Sequence, residues 1–456
     1  MKAKKFNIYN KILIIFLFSH LFVWILVPTI SNGNLPLDTI EALAWGSNLD
    51  WGFSKHPPLS AFAVEVFYRI FGNQDWAYYF LSQLFVVFSF FIIFILSKDF
   101  FKNQAYGLIS IMLLEGIYFY NFTTPEFNVN VSQLPFCALS VLYCWRGFKN
   151  NKTIDWLLFG LFAGLGVLSK YLFIYLLVAM DVFFIYLILN KKINYKCLIS
   201  FLSFFVVLLP HLMWLVENNY ATLNYAFHRT GLGQTQPLDH IFNPIIFLGK
   251  QLGVLIPFFI MLYFSISKFN LRLNFKDRKF LFLLTIVMVP IILMFLTSLF
   301  TGAKIRTMWM TPFYLFIGIF FVYIFQNQIN LNKIKYFLSV FLILFIFSPA
   351  FYYYVSETDD NKRTDYPGKE ISELVQSRWN KNFTNTISIV VGDEWHGGNL
   401  SYHLKSRPKW FNENIPKDLN FDGGVIYTGS AEILKNFCPG LFGKIKFQGI
   451  CMIGTK

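Results

Sequence analysis

Asp38 and Glu41 stand three residues apart in LPLDTIEALAW, a spacing that puts both carboxylates on one face of a helix, and the Leu-Pro before Asp38 suits a helix start. Two roles fit such a pair. One is a solvated cap on a helix lying at a membrane surface; the other is a general base, or an orienter of an acceptor group. Glu126 in YNFTTPEFNVNVSQLP is a third carboxylate, and Thr-Thr-Pro-Glu also reads as a helix start with its acid in the first turn. The cations that can face these acids are Lys55, Lys170, Arg229, Lys304 and Arg306, with His56 and His228. Lys170 falls between two apolar runs, and Arg229 lies in NYAFHRTGLGQTQ, a loop with glycines at 231 and 233. Such a set suits an anionic phosphate, because a fixed cation stabilises a phosphate leaving group. Trp45, Trp51 and Trp76 either stack on a sugar or mark a membrane interface, the interface being favoured for Trp76. Asp393, Glu394 and His396 in GDEWHGGN form one short acidic-histidine loop, which reads as structural or substrate-facing in preference to a metal site. No metal ligand set, nucleotide loop or Ser-His-acid pattern is expected.

The elements that must position these residues are membrane helices. The chain is 55% hydrophobic and 14% charged, more apolar than a soluble fold can bury. Its apolar residues fall into about eleven runs of roughly 16 to 24 residues, the length that crosses a hydrocarbon layer about 30 Å thick. The expected spans are 12–30, 77–97, 105–120, 128–146, 156–169, 171–189, 197–216, 244–266, 280–299, 308–326 and 336–354. The first follows a basic start but ends in VPTISNG without a small-residue cleavage site, so it reads as a retained anchor. The net charge of +14 does not point to nucleic acid. Its basic residues cluster at every second junction, for example Lys2, Lys4 and Lys5, then Arg146 and Lys149, then Arg272 and Lys276, then Lys333 and Lys335. That alternation puts the N-terminus in the cytoplasm and, with eleven crossings, the C-terminus outside. Every candidate residue above then falls on the external side.

After Tyr354 the composition turns mixed and soluble. Residues 1–354 are expected to be the membrane domain, with a long external loop at 31–76, and 355–456 a small extracytoplasmic α/β domain. Ile371, Leu374, Val375 and Trp379 form a helical stripe, while TISIVVGDEW, FDGGVIYTG and KIKFQGICMIG read as strands. Cys438 and Cys451 lie in this domain, where a disulfide between adjacent strands and two free thiols are both open.

The acidic loop LDTIEALAWGSNLDWGFSKHPPLSAF, then TTPEFNVNVSQLP, GLGVLSKY and PHLMWLVENNYATLNYAFHRTG, with RTDYPGKE and VVGDEWHGGNLSYHLKSRP in the tail, resemble bacterial members of glycosyltransferase family 39. These are polytopic enzymes related to protein O-mannosyltransferases and to lipid A aminoarabinose and galacturonic acid transferases. The resemblance implies a GT-C fold in the bacterial inner membrane and no cofactor. It also implies inverting transfer of a sugar from a polyprenyl-phosphate donor to lipid A, another glycolipid or a glycan at the periplasmic face. By that likeness Asp38 matches the family's first-loop catalytic aspartate, Glu126 stands where a second acid, more often aspartate, is usual, and Lys170 matches the lysine near the donor phosphate. Glu41 joins the catalytic candidates, and Arg229, Arg306, Lys55 and His56 the substrate-binding ones, by side and charge. A transporter or lipid flippase is the competing class, and a non-catalytic glycan-binding partner a third. Transporters keep ionisable residues near the midplane of repeated halves, whereas these charges collect at the outer ends.

Overall fold

The structure is a computed structural model that describes residues 8–192, 194–230, 235–271, 273–331, 334–359, 362–412 and 423–456. Lys2, Lys4, Lys5, Arg272, Lys333 and the glycines at 231 and 233 lie outside the described residues. In chain order the membrane part carries α1 (Ile8–Ser31), α2 (Leu37–Gly46), α3 (Leu59–Phe71), α4 (Asp75–Phe100), α5 (Gln104–Met112), α6 (Val129–Asn150) and α7 (Thr153–Ser169). It continues with α8 (Ile174–Leu189), α9 (Ile199–Glu217), α10 (Ala221–Arg229), α11 (Asp239–Ser265), α12 (Arg278–Thr301), α13 (Ile317–Phe325) and α14 (Ile334–Thr358). Among the described residues seven helical stretches are long and apolar enough to cross a membrane: α1, α4, α11, α12, α14, α8 together with the 3-10 turn Tyr171–Phe173 before it, and α9 together with the turn Tyr195–Leu198 before it. Their outward side chains, such as Leu252 and Ile256 on α11 or Ile343 and Ile346 on α14, are exposed and apolar, the surface that lipid covers. Prolines inside these helices, Pro28, Pro257, Pro290 and Pro349 among them, are tolerated because neighbouring helices re-satisfy the freed backbone groups.

The other four expected spans take different forms. Residues 105–120 form α5 and then two 3-10 turns, Leu113–Gly116 and Tyr118–Tyr120. At that break Gly116 passes so close to α11 that a Cβ would come within 2.6 Å of the Phe258 backbone nitrogen. Residues 308–326 form 3-10 turns on either side of Pro312 before α13 begins, since proline cannot donate to the preceding turn. α7 is a 17-residue helix, and α6 is 22 residues long but opens on a polar stretch, VNVSQLP.

The long loop after α1 is itself helical. α2 buries Ile40, Leu43, Ala44 and Trp45 on one side and turns Asp38 and Glu41 to the other. α2 and α3 lie against the small C-terminal domain, where α15 (Gly368–Asn382), α16 (His396–His403) and α17 (Ala431–Phe437) pack on a five-stranded sheet. Its strands are β1 (Ile387–Val391), β2 (Lys409–Phe411), β3 (Gly424–Gly429), β4 (Leu441–Ile445) and β5 (Gln448–Ile453), in the order β2-β1-β3-β5-β4. β1 runs parallel to β2 and β3, and β5 antiparallel to β3 and β4. The core holds Ile371, Val375, Trp379, Val390, Ile426 and Met452. Two expectations are corrected here. Leu374 is 45% exposed, one position off the buried stripe of α15, and KIKFQGICMIG is a hairpin that turns at Lys446, whose φ is 54°. Cys438 and Cys451 are bonded, and Cys438 stands at the end of α17 instead of on a strand.

Candidate active site

The first turn of α2 is tied to a distant loop. Pro36 precedes the helix and offers no side-chain cap, and the backbone N–H of Asp38 donates to Glu126 Oε1 at 3.0 Å. Thr39 Oγ1 donates to the Phe127 carbonyl at 3.2 Å. Glu126 therefore does not sit in the first turn of its own helix, as its sequence context predicts. α6 starts at Val129 with Asn128 as its cap, accepting from the amides of Asn130 and Val131, and Glu126 serves the N-terminus of α2. A helix N-terminus favours negative charge, and here two carboxylates share one. Burial raises the pKa of both; the Asp38 charge raises Glu126 further, while Lys170 foremost among the cations draws Asp38 back down. The pair thus favours one neutral carboxyl over two full charges.

Lys170 closes the site from the turn between α7 and α8. Its side chain is buried, its Nζ donates to Asn130 Oδ1 at 2.7 Å and lies 5.2 Å from the Trp309 ring centroid. Burial lowers its pKa to about 7, with the Asp38 charge opposing that fall. Beside it a cavity of about 590 Å³ is lined by Arg229, Lys250, Lys304, Arg306, Thr123 and Tyr118. None of its four cations forms an ion pair among the described residues. Thr123 also lines a second cavity of about 370 Å³, which holds Glu126, Lys362 and Arg363. A larger cavity of about 870 Å³ lies around Tyr263, Phe269 and Tyr336, with Lys268 and no carboxylate on its wall, away from these acids.

The remaining candidates divide. Glu41 turns from Asp38 to Lys55, whose Nζ sits 2.8 Å from Glu41 Oε1 and 3.0 Å from Glu394 Oε2. Lys55 is thus a bridge between α2 and the C-terminal domain as well as a charge near Asp38. His56 does not act as a cation at neutral pH: burial first, then the charges of Lys170, Lys55 and Arg229, lower its pKa to about 3. Its ring meets Trp45 and Tyr225 edge-on. Trp45 is buried and stacked on Phe53, so it offers no platform to a sugar, while Trp51 and Trp76 are exposed. His396 bonds its own neighbour Asp393 at 2.7 Å. Lys250, Asn130 and Arg363 carry no local binding signal, while Glu394 belongs to the acidic-histidine loop read as structural or substrate-facing and pairs with Lys55. Lys250 falls inside an apolar run, where a lysine within a crossing is itself the available signal.

In three dimensions the chain is similar to ArnT from Cupriavidus metallidurans bound to undecaprenyl phosphate, with a TM-score of 0.63 at 12% identity over 98% of both chains. The apo state of ArnT from the same organism aligns with a TM-score of 0.61 at 11% identity, again over 98% of both chains. The fold is the GT-C glycosyltransferase fold. Residues 55–214 match the family model described as dolichyl-phosphate-mannose-protein mannosyltransferase. That segment contains Lys55, His56, Glu126 and Lys170, and Asp38 lies just upstream of it. No curated protein matches the chain in sequence.

Proposed function

We propose that this protein is an integral-membrane glycosyltransferase that moves a sugar from a polyprenyl-phosphate donor to an envelope acceptor, lipid A or another glycolipid or glycan, with inversion. The observation that carries the reading is the Asp38–Glu126 pair whose Asp38 feels the charges of the buried Lys170 and of Arg306, together with the cavity where Arg306 meets three further cations that form no ion pair among the described residues. Displacement at the anomeric carbon needs an oriented nucleophile on one face and positive charge on the departing phosphate on the other. Asp38 meets the first need by accepting the proton of an acceptor hydroxyl, or by orienting an acceptor that is already ionised. Lys170 with Arg229, Lys250, Lys304 and Arg306 meets the second as the bond from C1 to the phosphate oxygen breaks. Glu126 holds the amide of Asp38 and so fixes the first turn of α2. Lys55, bound by Glu41 and Glu394, adds positive charge near Asp38, and His56 contributes a neutral ring to the wall. The undecaprenyl phosphate bound to ArnT is of the class proposed for the donor carrier. In this reading the site faces the periplasm from the inner membrane, the N-terminus lies in the cytoplasm, and the C-terminal domain covers the outer face.

The test is transfer from radiolabelled polyprenyl-phosphate sugars to an envelope extract by purified protein, with Asp38→Asn beside wild type and with a chelator added. Transfer that the chelator spares and Asp38→Asn abolishes supports the reading. Folded wild type that transfers from no donor moves the assignment to a transporter or a glycan-binding partner.

A further inference from the structure

The catalytic helix α2 is held at both ends by the C-terminal domain. At its start, Asn34 Nδ2 donates to Asn399 Oδ1 at 2.9 Å, and His403 Nε2 lies 3.1 Å from Asn34 Oδ1. Along its length α16 comes so near that a Cβ on Gly398 would meet Ile40 Cγ2 at 3.0 Å and Ala44 Cβ at 3.2 Å. At its end the Trp410 amide donates to Ser47 Oγ at 2.9 Å, and Asn48 Nδ2 donates to the Trp410 carbonyl at 2.5 Å. A further residue ties these contacts to α3. Arg407, in the connection between α16 and β2, donates from Nη2 to the Leu43 carbonyl at 2.6 Å and pairs with Glu65 Oε2 on α3 at 2.8 Å. Its Nη1 donates to Ser401 Oγ at 3.0 Å, its guanidinium lies 4.3 Å from the Tyr68 ring centroid, and its side chain is only 13% exposed. A planar fork serves a helix carbonyl and a carboxylate from one nitrogen and a hydroxyl from another, a spread that an ammonium's single nitrogen does not match. A cation at the last carbonyls of a helix also meets the negative end of its dipole.

We propose that Arg407 is a positioning residue for sugar transfer, fixing the C-terminal end of α2 against α3 so that Asp38 at the other end stays set against Glu126. The proposal rests on the glycosyltransferase reading above and assigns the C-terminal domain a part in it. α2 is a short helix, so a tilt released at Leu43 carries to Asp38 within two turns. Arg407 touches no cavity that holds the candidate cations, so its loss acts on the geometry of the attacking side and leaves donor binding in place.

The experiment uses the full chain in detergent and compares wild type with Arg407→Ala and Arg407→Lys. Lysine keeps a charge beside Glu65 but brings a single point of donation. Two readouts are taken: amide hydrogen exchange in α2, and the split between kcat and KM for the donor. The expected result is faster exchange across Ile40–Gly46 in both variants and a kcat lower by about tenfold or more, since misplacement by about 1 Å can cost on the order of 100-fold. The donor KM is expected to stay within about twofold of wild type, because the cations are untouched. Wild-type kcat in a folded variant overturns the proposal, and so does a loss that appears in donor KM alone. Should the alanine variant not accumulate, the lysine variant is read by the same criteria. A wild type that transfers from no donor defeats the functional reading instead; unchanged exchange in α2 then overturns the hold itself.

Discussion

At the scale of single residues the central fact is that Asp38 and Glu126 share the positive end of one short helix. Asp38→Asn keeps the size of the side chain and removes its basicity, so transfer is expected to fall by about 10²–10⁴-fold with donor KM little changed, measured by initial rates. The pH profile follows from two shifts of opposite kind. Burial raises the Asp38 pKa, so the ionised form that the proposed transfer needs is populated only above the ordinary carboxylate range. Burial lowers Lys170 to about 7, so the charge proposed to hold the leaving phosphate fades as pH rises past that value. A bell-shaped kcat/KM is expected, and Lys170→Arg should move its alkaline limb upward, because a guanidinium stays charged. An alkaline limb unmoved in that variant would remove Lys170 from the profile. Glu126 gives a stability counterpart. Its folded pKa lies above its unfolded value, so folding favours its protonated form: that contribution to stability is full at low pH and is lost as pH climbs from the ordinary glutamate range through the raised one. Glu126→Gln can still accept the Asp38 amide and carries no charge, so its Tm relative to wild type should rise with pH, read by thermal denaturation in buffers on both sides of neutrality.

At the scale of elements, α2 works because α16 can lie on it. At Gly398 the two helices approach closely, with the Ile40 carbonyl oxygen 3.3 Å from a hypothetical Cβ as well as the two side-chain atoms. Gly398→Leu is expected to push the helices apart at a cost of about 1–3 kcal/mol and to lower transfer, while Gly249→Leu on α11, where nothing lies within 4 Å, should change neither. Thermal unfolding and initial rates on the same preparations separate the two positions; equal effects would mean that the α2–α16 contact has no special weight.

At the scale of the whole molecule the C-terminal sheet is joined to the loop helices by ion pairs and hydrogen bonds, and it is stapled within itself by Cys438–Cys451 across a sequence separation of 13. Closing a loop of about that length stabilises by roughly 3 kcal/mol in the chain-entropy account. Replacing both cysteines by serine should therefore destabilise this domain by about that amount, measured by urea unfolding monitored at Trp379 and Trp410, and should leave the spectrum of the membrane helices unchanged.

The sequence by itself determined the membrane character, the helical stretch that carries Asp38, the turn at Lys170 and the strands β1, β3 and β5 of the tail, because each follows from apolar length, local spacing or local residue type. The residues that carry charge were visible too, since polar groups are few in so apolar a chain. Only the tertiary structure decided what each one faces. Glu126 read as a cap for the helix that follows it, and it caps a helix 88 residues earlier. Lys55 looked like a cation free for a ligand, and it bridges carboxylates 14 and 339 residues away. Arg407 lies in the tail stretch VVGDEWHGGNLSYHLKSRP, but nothing local gives it a role, because its partners Leu43, Glu65 and Tyr68 come from the other end of the chain. Spacing along a chain reports neighbours on one element, whereas burial and pairing between distant elements are set by how the packed helices bring their ends together.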